Sequence, residues 1–205
     1  MVQILPKPVT FDEFCEWYPE TGVRYELHNG VIVEMNQPAG DHEFIIAVIS
    51  RYLSRQVFQA NLPYGIAKNP FVKPSTSSSA YCPDILLLNL DNLVNEPLWK
   101  KQSTLTQAAS IPLVVEVVST NWQTDYAIKS TDYESIGIPE YWIVDYLGLG
   151  GRRFIGNPKS PTLSIYSLVD GEYQVTQFRG DDLIISPTFP ELHLTAKEVL
   201  MTGDR

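Results

Sequence analysis

An α/β (α+β) chain, with a mixed central β-sheet flanked by helices, is the fold class this sequence predicts, on three observations. Apolar runs of strand length, such as "PDILLLN" from Pro83 and "LVVEVVS" from Leu113, interleave with stretches of helical periodicity. Asn29-Gly30 and Asp170-Gly171 carry the strongest two-residue hairpin signal, so antiparallel pairs join the sheet. The 205 residues hold no internal repeat, and an apolar content of 44% suits one domain with its core over about 10–190.

The element pattern begins with "VTFDEFCEWY", where Thr10 and Glu13 form a capping-box pair and open a short helix. "VRYELHNGVIVEM" reads as a hairpin about Asn29-Gly30, with Glu26 opposite Val33 and on one face with Arg24 and His28. In "GDHEFIIAVISRYLSRQV", Phe44, Ile45, Val48, Ile49, Tyr52 and Leu53 make a helical stripe behind Asp41 as N-cap. "GIAKNPFV" and "PDILLLN" read as strands separated by the loop "KPSTSSSAYC". Residues 89–110 are polar and irregular, with room for a short helix. Then come the strand "LVVEVVS", a helix within "TDYAIKSTDYESI" and the strand "EYWIVD". "TLSIYSLV" and "EYQVTQF" pair about Asp170-Gly171, and "LTAKEVL" closes the chain as a short helix. "GLGGRRFIG" lacks the Gly-Lys-Ser/Thr ending of a phosphate loop and is expected to be a turn with two exposed arginines.

Charge narrows the function. With 24 acids against 15 bases the net charge is -9, which argues against a general nucleic-acid coat protein. It leaves room for a nucleic-acid enzyme, whose cleft needs only local positive charge or a bound metal. No run approaches the ~18 apolar residues of a membrane helix. "MVQILPKPVTFDEF" lacks the basic-then-apolar order of a leader, so the expected setting is the cytoplasm, with no membrane partner. Cys15 and Cys82 lie far apart and read as two incidental reduced thiols; acidic neighbours would dull Cys82 as a nucleophile. Three scattered histidines argue against zinc: His28 is expected to face solvent and His193 has no evident partner. No "GxSxG" elbow is present. Trp122, Tyr141, Trp142 and Tyr146 read as packing residues, while Lys100-Lys101 and Arg152-Arg153 are candidate phosphate contacts.

One acid stands out. Glu116 sits in the apolar run "LVVEVVS", on the face it shares with Val114 and Val118. An isolated buried carboxylate costs several kcal/mol or more unless it is paired or neutralised. Asp84 opens the run "DILLLN", where a strand leaves a loop. Tyr126, Lys129, Tyr133 and Ile136 form the apolar stripe of the following helix and carry an amine inward with them. Two carboxylates at sheet ends repel unless a cation lies between them, and Mg²⁺ (or Mn²⁺) is a hard cation that takes oxygen ligands. Asp, Glu and Lys around one such ion suit phosphodiester hydrolysis.

"YELHNG", "PDILLLN", "VVEVVS", then Lys129, Tyr133, Gly137 and "PEYWIVD", taken as an ordered set, resemble the Uma2 family, which is abundant in cyanobacteria. The resemblance runs from about Phe11 to the C-terminal strands. It implies a restriction-endonuclease-like core of the PD-(D/E)XK superfamily, preceded by an N-terminal helix and hairpin. It further implies that Asp84, Glu116 and the backbone carbonyl of Val117 hold Mg²⁺, that Lys129 is catalytic, and that Glu26 of "YEL" completes the acidic cluster. In the wider superfamily the lysine follows the second acid by two residues, a position that is Val118 here; the resemblance places it in the next helix as Lys129. His42 matches a histidine at the start of the family's second helix, an accessory candidate whose simpler role is to begin that helix. The implied activity is Mg²⁺-dependent DNA cleavage, with DNA as substrate and a homodimer as the working form. A catalytically silent binding or assembly module of the same fold is the alternative. A metal-free carboxylate hydrolase such as a glycosidase fits worse, because it leaves the inward lysine without a role.

Overall fold

A computed structural model describes residues 7–201; the first six residues of the stretch "MVQILPKPVTFDEF" lie outside it. Helix α1 (Phe11–Trp17) has the expected capping box, with Thr10 and Glu13 exchanging backbone bonds. Strands β1 (Tyr25–His28) and β2 (Val31–Glu34) pair with Glu26 opposite Val33, and Asn29 and Gly30 both take the positive φ that this turn demands. The long helix α2 spans Gly40–Gln59. Its N-cap is Ala39, which corrects the assignment of Asp41: the acid lies inside the first turn, where it still complements the helix dipole.

The expected strand "GIAKNPFV" is two strands, β3 (Tyr64–Ala67) and β4 (Phe71–Val72). Asn69 at φ 72° and Pro70 break it, because proline cannot donate to a ladder and positive φ bends the chain out of the sheet. Strand β5 is Ile85–Asn89. The irregular region that follows holds 3₁₀ turns at Leu90–Asn95 and Ala108–Ser110, the short helix α3 (Trp99–Gln102) and strand β6 (Thr104–Leu105). Strand β7 (Leu113–Val117) leads into a π turn at Thr124–Lys129, continued by helix α4 (Ser130–Ile136) and ended by Gly137 in the left-handed region. Strand β8 is Glu140–Asp145. The arginine-bearing turn is in fact one turn of helix, α5 (Arg152–Ile155), because Phe154 and Ile155 find apolar partners that fold the segment inward. Strands β9 (Thr162–Val169) and β10 (Glu172–Phe178) form the second hairpin, and α6 (Ala196–Leu200) ends the described chain with a second capping box.

Six strands form the central sheet in the order β10-β9-β8-β7-β5-β3. Only β7 and β8 run parallel, joined across by the π turn and α4; the other pairs are antiparallel, so the sheet is mixed. Strand periodicity divides the core. Leu113, Val115 and Val117 face Ile45, Ile49 and Leu53 of α2 and the residues of α6, while Val114 and Val118 face Tyr126 and Tyr133 on the other side. A third apolar cluster of Phe11, Phe14, Leu27 and Ala80 packs α1 beneath the β1–β2 hairpin, which is bonded to the loop through Leu27 and Ala80. Among the described residues no helix is long and apolar enough to cross a membrane.

Candidate active site

Sheet register brings the two strand acids together. Ile85 of β5 pairs with Val115 of β7, so Asp84 stands beside Glu116 on the next strand, and its Oδ2 accepts the Val117 N–H at 2.8 Å. Glu116 is buried, with 3% of its surface exposed. Its Oε1 accepts from Lys129 Nζ at 3.0 Å and from the Tyr133 hydroxyl at 3.0 Å. Both donors come from the inward stripe of the helix after β7, because the 3- and 4-residue spacing puts them on one face. The hairpin adds Glu26: Oε1 lies 3.3 Å from Lys129 Nζ and accepts the Cys82 N–H at 2.9 Å, while Oε2 pairs with His28 Nε2 at 2.7 Å.

Lys129 does not snorkel. It is 5% exposed, and its ammonium also lies 3.6 Å from Asp125 and over the Tyr81 ring. Burial works against its charge, but Glu116, Glu26, Asp125 and Asp84 together hold its pKa well above the usual lysine value. For Glu116 burial dominates; against the pull of Lys129, burial and the surrounding acids push its pKa well up. Burial also opposes ionisation of Glu26, yet Lys129 and His28 outweigh it and hold that carboxyl at about 2. Asp125 is raised to about 6, chiefly by burial, with Lys129 opposing. His42, on the first turn of α2, places Nε2 3.0 Å from the Val117 carbonyl oxygen and 3.4 Å from Asp84 Oδ2. Burial lowers its pKa, but Asp84 and the carbonyl raise it further, so the net shift is upward.

The geometry thus gathers Glu26, Asp84, Glu116, Lys129 and His42 from five separate stretches at one edge of the sheet. A model of the Uma2 family, described as "Putative restriction endonuclease", matches residues 11–197. The chain belongs to the Uma2 family. Among solved structures it is similar to one described as a putative nuclease belonging to DUF820 from Anabaena variabilis, at 20% identity. That match has a TM-score of 0.72 and covers 95% of this chain and 99% of the other, and at this identity the likeness is one of fold. No curated protein matches the chain.

Within this Uma2 chain Val118 is buried in the apolar cluster beneath α4, and the amine beside Glu116 comes from Lys129. One expectation changes. His28 is only 15% exposed at its side chain and bonds Glu26, because the hairpin's inner face is covered by Tyr81. Val117 O already accepts from His42, which leaves the carbonyl's second lone pair for a further ligand. Two participants escaped the sequence reading. Asp125 lies four residues before Lys129, a spacing that does signal an ion pair, and Tyr133 was counted only as apolar stripe. A surface hollow of about 500 Å³ between the end of α2 and β3 is lined by Ser54, Val57, Phe58 and Tyr64 and lies apart from these groups.

Proposed function

We propose that this chain is a Mg²⁺-dependent endonuclease that hydrolyses DNA phosphodiester bonds at the Asp84–Glu116–Lys129 edge, acting in the cytoplasm as a homodimer with one site per strand. The observation that carries this reading is the buried Lys129 ammonium held on Glu116 while Asp84 reaches across from the neighbouring strand. Three carboxylates (Glu116, Glu26 and Asp125) lie within 3.6 Å of that one lysine, and Asp84 adds to the negative field it feels. Acids set this close together favour a further cation, because each disfavours ionisation of the others.

The donor set fits a hard ion. Among the described residues, Asp84 Oδ1 and Glu116 Oε2 accept no protein hydrogen bond, which leaves one oxygen on each acid for a ligand. Among those residues no three Asp, Glu, His or Cys side chains converge as a complete cage. Mg²⁺ suits that shortfall, because it is commonly held by one or two carboxylates and keeps several waters. Asp84 and Glu116 would hold it, with the Val117 carbonyl as a third oxygen. When bound, the ion supplies Lewis-acid polarisation of the phosphodiester. Tyr133 fixes Glu116 by its Oε1, so that Oε2 would be left to hold the ion. His42 and the Val117 N–H orient Asp84 in the same way. Lys129 has its longest contact with Asp125, the one most readily exchanged for a phosphate oxygen carrying developing charge.

Thermal unfolding with added Mg²⁺, together with plasmid cleavage, tests the reading. Stabilisation and cleavage are both expected in the wild type and both lost in Asp84→Ala and Glu116→Ala. Lys129→Ala is expected to lose cleavage while keeping the response to metal. A wild type that ignores Mg²⁺ and leaves plasmid intact favours the silent binding module, the reading that the -9 charge supports.

A further inference from the structure

The chain from Tyr146 to Val169 contains no acidic residue, although acids outnumber bases 24 to 15 overall. It carries Arg152, Arg153 and Lys159, all exposed, and among the described residues none of the three makes an ion pair. Gathered in one segment of so acidic a protein, these cations have no acidic partner among the described residues.

Topology puts this segment at the site. Strands β7 and β8 are parallel with Glu116 opposite Ile143, so the chain leaving β8 emerges at the edge that carries Glu116 and Asp84. The arm over 146–161 then packs on the turn that holds Asp125 and Lys129. Phe154 stacks on Tyr126 at 4.8 Å between ring centres, and Trp122 meets Phe154 edge-on at 6.1 Å. Two glycines allow the approach: a Cβ at Gly150 would stand 3.0 Å from Asp145 Oδ2 and from the Tyr126 ring, and one at Gly151 would stand 2.9 Å from Trp122. The glycines of "GLGG" therefore serve close packing of the arm.

The arm is held firmly. Asp145 accepts the Leu149 and Gly150 N–H groups at 2.9 and 2.7 Å. Gln177 donates to the Phe154 carbonyl, and Arg179 Nη2 donates to that of Ile155 at 2.9 Å. Lys159 Nζ donates to Leu149 O at 2.9 Å and lies 5.9 Å from the Trp122 ring centre, while the Arg153 guanidinium lies 4.4 Å from that of Phe154. These contacts place charge on a rigid support, as a docking surface for a polyanion requires.

We propose that the arm over 146–161 is the surface on which a nucleic-acid duplex lays its phosphate backbone, with Arg152, Arg153 and Lys159 as sequence-independent contacts that deliver a phosphodiester to the carboxylate edge. The inference rests on the nuclease reading above and adds where the substrate is held. Backbone docking by cations releases counterions, so its signature is the salt dependence of binding.

Fluorescence anisotropy of a labelled DNA duplex, titrated with the full chain at several salt concentrations in Ca²⁺, reads this directly. Replacing Arg152, Arg153 and Lys159 with Ala is expected to lower the slope of log K against log salt by about 2 to 3. A control with the same charge change, Arg51→Ala, Arg55→Ala and Lys197→Ala, should leave the slope unchanged. Arg55 is thirteen residues along α2 from His42, a distance of about 20 Å. Arg152→Lys with Arg153→Lys should retain the wild-type slope, which separates lost charge from a disturbed arm. An arm variant with wild-type slope and affinity overturns the proposal, and plasmid cleavage by the wild type then still supports the nuclease reading. Wild-type binding with the expected slopes but no cleavage in Mg²⁺ leaves the arm standing and removes the nuclease. A wild type that binds no duplex at any salt overturns both.

Discussion

Replacing Lys129 with Met would remove one charge while keeping most of the stem that packs beneath the sheet. Its ammonium stands 3.0, 3.3 and 3.6 Å from Glu116, Glu26 and Asp125. At an effective dielectric of ~20 each such pair is worth about 5 kcal/mol in gross attraction. Desolvation of the ions returns most of that, and breaking a buried pair by removing one partner typically destabilises by about 3–5 kcal/mol. Lys129 is too buried for solvent to screen these pairs, so that range is the expectation at pH 8 in EDTA. For a chain of this size it lowers Tm by roughly 10 °C. Without the amine the native carboxyls bind protons more tightly, so the variant's stability falls as pH rises and its deficit shrinks toward pH 5. Urea unfolding across that range reads both effects. A loss below ~1 kcal/mol at pH 8, or one independent of pH, would mean that the ammonium lies in solvent, and the site as described would be wrong.

Two further outcomes follow from the same cluster. The Asp125 carboxyl is raised to about 6 by burial, so its contribution to stability is present below the ordinary aspartate range and is lost as pH rises through 6. Asp125→Asn should therefore exceed the wild type by about 2–3 kcal/mol at pH 8 without metal and show no gain below pH ~4; urea unfolding with the opposite trend would refute this. Burial, followed by Glu26, pushes the Cys82 thiol up to about 12, so a thiol reagent at pH 8 should label Cys82 only as the protein unfolds; rapid labelling of native Cys15→Ser protein would contradict it.

Local periodicity carried far along this chain. The capping pair at Thr10, the Asn-Gly and Asp-Gly turns, and the inward stripe of Tyr126, Lys129 and Tyr133 all rest on contacts within a few residues, and each stands in the structure as the pattern required. Other misreadings arose where a distant partner decided the outcome. Arg152 and Arg153 lie on a helical turn because Phe154 finds Tyr126, and His28 is covered because Tyr81 arrives from another loop. Asp125 looks like an acid on a solvated helix face until the π turn widens the inward side to include it.

By itself, then, the sequence determined most strands of the central sheet, the start of the first helix, the turn that aims Glu26 and the anomaly of an acid at Glu116 inside an apolar run, because each depends on residues near in the chain. Only the tertiary structure decided that Asp84 meets the Val117 amide, that one lysine serves three carboxylates, and that the basic arm lies on the Tyr126 turn. Strand register and the parallel β7–β8 pairing fix these approaches, and both are set by burying two faces of one sheet at once.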